Sequence, residues 1–203
     1  VLVELSFKFS SASEVEKFLS FLERHVRNVR YSVSARLTHV YVQLQGEGKE
    51  LQDAVALVKM LAGLARARRA VRRVPLLVLF RDAELARPVP PDAIADALTL
   101  SGIPSRVRGS FLETEADYEK VLQVAEELSR LYKISERYPI TPHAKRIVVV
   151  HAYATGKPVD ASIEELVSAG LLNRGAAISL RYPIEETKRR LLSAASVRQG
   201  RSA

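Results

Sequence analysis

Residues 30–46 read "RYSVSARLTHVYVQLQG". The apolar positions are odd in the first half (Tyr31, Val33, Ala35) and even in the second (Val40, Val42, Leu44). A strand turns successive side chains to opposite faces, so one strand cannot carry both sets on one face without a bulge or turn. The shift predicts two strands joined near Arg36–Thr38. Upstream, "VLVELSFKF" (1–9) alternates with Val1, Val3, Leu5, Phe7 and Phe9 on one side, the pattern of a half-buried strand. Between these strands, "SASEVEKFLSFLERHV" (11–26) carries a capping-box pair, Ser13 and Glu16. Its stripe of Val15, Phe18, Leu19, Leu22 and Val26 has helical spacing. Downstream, "KELQDAVALVKMLAGLARARR" (49–69) reads as a long helix with Leu51, Val55, Val58 and Ala62 inward. "PLLVLF" (75–80) is a continuous apolar run of strand length. The order β-α-β-β-α-β predicts a ferredoxin-like domain over residues 1–86.

Three prolines in "RPVPPD" (87–92) mark a linker. Beyond it the expectation is a helix-rich α+β domain over 92–197. "PDAIADALTLSG" is a short helix, and "SRVRGSFLETE" (105–115) a strand with Arg106, Arg108 and Ser110 on one face. Thr114 is placed to cap the helix that follows, whose stripe runs through Tyr118, Val121, Ala125, Leu128 and Tyr132. Thr141–Pro142 starts another helix, with proline at its first position. "LLNRGAAISLRYP" alternates like a strand, and "SVRQGRSA" closes the chain as a basic tail. The fold class as a whole is α+β.

The 203 residues carry 31 basic and 23 acidic side chains, a formal net charge of +8. That excess favours polyanions and does not bear on fold. No apolar run approaches the ~18 residues of a membrane span. No membrane partner is expected, and a cytoplasmic location fits. The N-terminus opens straight into an alternating strand, which predicts no secretory signal. Cysteine is absent, which removes disulfides, thiolate metal sites and cysteine nucleophiles. Asn28 and Asn173 are the two asparagines and Met60 the one methionine, a scarcity of thermolabile residues that fits a thermophile.

The charge is densest in "GLARARRAVRRVP" (63–75), where Arg66, Arg68, Arg69, Arg72 and Arg73 occur with no acid. Continued at ~100° per residue, these positions fall on or beside the buried stripe of the helix before them. Unpaired guanidinium groups cannot be buried in a core. Either the helix overhangs the sheet and presents a basic platform, or it ends near Ala65 and the arginines line a loop. Phosphates or acids of the second half are the candidate partners. Arg106 and Arg108 join the platform if the second half folds onto the same side.

Catalytic motifs are absent. "GEGK" (46–49) and "ATGKP" (154–158) lack the phosphate-loop spacing. His143 and His151 stand eight apart with no metal-ligand pattern, and Glu126–Glu127 and Glu164–Glu165 are adjacent pairs that diverge on a helix. No cofactor is expected, and nothing nominates an enzyme.

The segment "SIEELVSAGLLNRGAAISLRYP" resembles the end of a winged-helix domain, within residues 142–182. Its candidate recognition helix carries Glu164 and Glu165 and no arginine, which counts against DNA reading. "GSFLETEADYEKVLQVAEELSRLY" and "AYATGKPVDASIEELVSAGLL" resemble an uncharacterised archaeal family of about this length. That resemblance implies no activity. The expected function is non-catalytic binding of nucleic acid, RNA in preference to DNA, by Arg66, Arg68, Arg69, Arg72, Arg73, Arg106 and Arg108. The alternatives are an interaction scaffold whose arginines form interdomain or subunit salt bridges, and a winged-helix DNA regulator.

Overall fold

The structure is a computed structural model that describes residues 1–66 and 71–200. The parity shift at Arg36–Thr38 is a hairpin: β2 (Arg30–Arg36) and β3 (His39–Gln45) pair antiparallel. β1 (Leu2–Lys8) pairs with the other edge of β3, giving the order β1-β3-β2. The inward face of this sheet holds Val40, Val42 and Leu44, all fully buried. Two helices cover it, α1 (Ala12–His25) with Phe18 and Leu22 and α2 (Gly48–Ala65) with Val58 and Leu61. Among the described residues no element covers the outward face; it is lined by exposed Glu4, Ser6, Lys8, His39, Tyr41, Gln43, Ser32, Ser34 and Arg36.

The cap of α1 lies two residues before the predicted one. The Glu14 N–H donates to Ser11 Oγ (3.3 Å) and the Ser10 N–H to Glu14 Oε2 (2.7 Å), so the capping pair is Ser11 and Glu14, not Ser13 and Glu16. Both pairs satisfy the same spacing, and the upstream one fits the turn out of β1.

The fourth strand does not join the first sheet. β4 (Arg72–Pro75) pairs with β6 (Phe111–Thr114), which pairs with β5 (Ser105–Arg108). The apolar run read as a strand at 75–80 is instead a helix, α3 (Leu76–Asp82). Val78 and Leu79 are buried while Leu77 is 64% exposed, a one-sided burial that suits a helix face. Short apolar runs do not by themselves separate the two states. The strand expected over 105–115 is a hairpin, β5 and β6, turning at Gly109 with φ +58°, which glycine tolerates without strain. Thr114 is not a helix cap but a fully buried member of β6, and Asp117 caps α5 (Tyr118–Ser135) by accepting from the Lys120 N–H.

The remaining helices are α4 (Pro91–Leu100), α6 (Pro142–Thr155), α7 (Val159–Ser168) and α8 (Ile184–Gly200). Helix α8 runs through part of the stretch expected to be a tail. The strand expected over 176–182 is a two-stranded ribbon, β7 (Leu172–Asn173) with β8 (Ser179–Leu180). One core runs from Phe9 to Val150 and draws on residues both sides of the proline-rich 87–92 stretch. A smaller one lies between α6, α7 and the ribbon around Ile147, Ile163 and Leu166.

Candidate nucleic-acid interface

The arginine-rich stretch starts where α2 ends. Leu64 and Ala65 are buried, and Arg66 takes extended backbone (φ −81°, ψ 130°), which stops the helix. A helix end leaves carbonyls without partners and a negative partial charge. Arg72 answers both: its Nη1 donates to the carbonyls of Arg66 (2.6 Å) and Leu64 (3.4 Å). Arg72 is therefore turned inward as the cap of α2. Arg66 lies over the ring of Phe9 (5.3 Å to the centroid), with Nη2 3.4 Å from the Lys8 carbonyl. Arg68 and Arg69 lie outside the described residues.

Arg73, Arg106 and Arg108 come together. In the register of the second sheet, Arg73 of β4 and Arg106 of β5 both stand opposite Glu113 of β6. Alternation buries Val74 and Leu112 and sends these three side chains outward. Arg106 Nε donates to Glu113 Oε2 (2.8 Å), and Arg108 Nη1 lies 3.9 Å from Glu113 Oε1. Arg73 stacks over the ring of Phe111, 4.3 Å from its centroid. The hydrogen bond from Arg106 holds the Glu113 carboxyl below its ordinary range, aided by the charges of Arg106, Arg108 and Arg73. Arg106 and Arg108 are about two-thirds exposed. Two guanidinium groups thus lie within 4 Å of one carboxylate and a third stands opposite it in register, so these four side chains keep an excess of two positive charges. A cavity of about 300 Å³ joins it to the end of α2, lined by Met60, Gly63, Arg66, Arg72, Arg73 and Phe111.

Phe111 and Glu113 were invisible as site residues while 105–115 read as one strand. The signal was "GS" at 109–110, a two-residue turn between two alternating runs.

Several charged groups elsewhere are internally matched. The Asp82 carboxylate is buried, accepts from Tyr118 Oη (2.5 Å) and Arg24 Nη1 (3.1 Å), and lies 3.0 Å from His25 Nε2. Burial, with this hydrogen bond and the Asp82 charge, pushes the Tyr118 hydroxyl far above its ordinary range, so it acts as a donor. Asp96 takes Arg146 (2.6 Å) and Lys188 (3.1 Å) and ties α4, α6 and α8 together. On α7, Glu164 pairs with Arg174 and Glu165 with Lys157. Among the described residues no group of three or more acidic or histidine side chains could hold a metal ion, and no helix is long and apolar enough to cross a membrane.

The outward sheet face and its arginines are thus features of a mixed α/β chain with no metal cluster among the described residues. The chain belongs to a family of uncharacterised proteins conserved in archaea (DUF2067), which it matches over residues 7–189. No curated protein and no solved structure matches it.

Proposed function

We propose that this protein binds nucleic acid without catalysis, RNA in preference to DNA, and does so in the cytoplasm. The observation that carries the reading is the outward face of the β4-β6-β5 sheet, where Arg73, Arg106 and Arg108 converge on the single carboxylate of Glu113 beside the ring of Phe111. Exposed guanidinium groups bind phosphate by paired hydrogen bonds. A flat face with an aromatic ring suits unpaired bases, which RNA loops and single strands offer and duplex DNA does not. Arg66 adds charge at the rim of the adjoining cavity. Arg72 belongs to the fold in this reading.

The same reading takes the first three strands and two helices as a ferredoxin-like split βαβ unit whose fourth strand has been transferred to a second sheet. It takes 142–182 as a winged-helix remnant, supported by the order α6, α7, ribbon. Asp160, Glu164 and Glu165 on α7 weigh against that remnant entering a DNA groove. A second reading, a scaffold whose arginines serve salt bridges, is favoured by the Arg106–Glu113 pair and the inward Arg72.

The test is the triple variant Arg73→Gln, Arg106→Gln, Arg108→Gln, titrated with structured RNA and duplex DNA from low to physiological salt. Binding by the parent chain should favour RNA. In the variant it should weaken, with a salt slope shallower by about 2–3, at roughly 0.7–0.9 for each of three lost phosphate contacts. Unchanged RNA binding with a lowered melting temperature or an altered oligomeric state would give the arginines to the scaffold reading.

A further inference from the structure

The outward face of the first sheet carries a second feature that folding does not explain. The antiparallel register sets Lys8 opposite His39 and Arg36 opposite His39, so the three lie in one row across adjacent strands. All three are exposed. Strands lie ~4.8 Å apart, so the two fixed positive charges, Lys8 and Arg36, flank the His39 ring within about 10 Å of each other. No carboxylate is within 4.0 Å of any of them among the described residues. The acid on this face, Glu4, is two rows away and is held by the Gln43 side chain at 3.0 Å. Arg66 reaches the same end of β1, at the Lys8 carbonyl.

The turn beside this row is also unusual. Leu37 occupies a left-handed conformation (φ +54°) that hairpins reserve for glycine, asparagine or aspartate, and it is 95% exposed. Such outliers persist where function needs them more often than elsewhere. One row inward, Tyr41 stands between Ser6 and Ser34, its ring on the open surface. Gln43, Ser32 and Ser34 make the rest of the face polar and able to hydrogen-bond.

We propose that this face is a track for single-stranded RNA. Phosphates lie along Lys8, His39, Arg36 and Arg66. An unpaired base stacks on Tyr41, and Leu37 packs against the next base or sugar at the hairpin tip. The charge selects a polyanion. The single ring on a polar, flat surface selects an exposed base over a lipid surface, which would need more apolar area than Leu37 and Leu2 supply. The proposal rests on the reading of the protein as an RNA binder and adds a second contact surface to it.

The test uses the full chain, an oligouridylate of about ten nucleotides, and three variants: Lys8→Gln with Arg36→Gln; Tyr41→Leu; and the triple arginine variant of the second sheet. The substituted positions of the first sheet are exposed, and equal melting temperatures establish that each variant is folded. The double variant should lose at least tenfold in affinity, with a salt slope shallower by about 1.4, two contacts at ~0.7 each. Tyr41→Leu should lose fivefold or more. Oligouridylate binding unchanged in both variants, or absent in the parent chain, overturns the proposal. Loss confined to the second-sheet variant keeps the RNA reading and removes this track. Loss confined to the first-sheet variants keeps the track and removes the second sheet as the site. Capture of acidic peptides or anionic vesicles in place of RNA overturns both.

Discussion

Glu113 decides how much of the second sheet's charge is available. It accepts from Arg106, lies 3.9 Å from Arg108 and stands opposite Arg73. Glu113→Gln frees a guanidinium and removes a repelling charge. With this competing carboxylate removed, RNA affinity should rise about two- to fivefold, measured at low salt against the parent chain. A drop in affinity would mean that the carboxylate positions the arginines and does not compete with phosphate for them. The same group gives a pH signature. Its folded-state pKa is depressed, so its contribution to stability is present above the ordinary carboxylate pKa and is lost as pH falls through the lower, folded value. Melting temperature followed from about pH 5 to pH 2 should fall less steeply in Glu113→Gln than in the parent. Arg72 predicts the opposite division. Arg72→Ala leaves the carbonyls of Leu64 and Arg66 unsatisfied. It should cost about 1–3 kcal/mol in urea unfolding while leaving the salt slope of RNA binding unchanged.

Elements were legible where the apolar period was long and one-sided. The parity shift at Arg36–Thr38 identified the β2–β3 hairpin because a register change has no other cheap explanation. "PLLVLF" was misread because six apolar residues fit a buried strand and a short helix equally. Which one forms depends on Leu112 and the α5 side chains that pack against Val78 and Leu79, contacts far away in the chain. The site suffered in the same way. Arg106 and Arg108 could be named from sequence, but their meeting with Arg73 passes through β6, which had merged into β5 in the reading. The linker at 87–92 offers a test at this scale. The Arg87 N–H donates to Ser129 Oγ (2.8 Å), and that hydroxyl donates back to the Arg87 carbonyl (2.9 Å). Ser129 is fully buried, so the pair clamps the linker onto α5. Ser129→Ala removes both bonds and should cost about 1–3 kcal/mol, with new proteolytic sensitivity confined to residues 84–92. Unaltered proteolysis would show that the Arg87–Glu136 salt bridge holds the segment unaided.

At the scale of the molecule, the two candidate faces belong to different sheets, and what relates them is the shared core. Val74, Val78 and Leu79 of the first eighty residues pack into the same cluster as Leu112, Val121 and Val124. The lock at Asp82 bridges α1, α3 and α5 through His25, Arg24 and Tyr118. Residues 1–86 expressed alone would expose that apolar surface and leave Asp82 without its Tyr118 partner. The fragment should therefore lack a cooperative thermal transition, while the full chain unfolds its main core as one unit. Asp82→Ala in the full chain removes the acceptor shared by Arg24 and the buried Tyr118 hydroxyl. It should destabilise by about 3–5 kcal/mol and lower the stability reported by the first sheet and by α5 together. A fragment 1–86 that melts cooperatively, or a variant in which the first sheet loosens while α5 stays protected in hydrogen exchange, would mean that the two candidate faces ride on separable units. Their relative position would then be free to adapt to a bound strand. With a single unit, the spacing between the Lys8 row and Arg73 is fixed by the shared core, and a ligand that contacts both must match it.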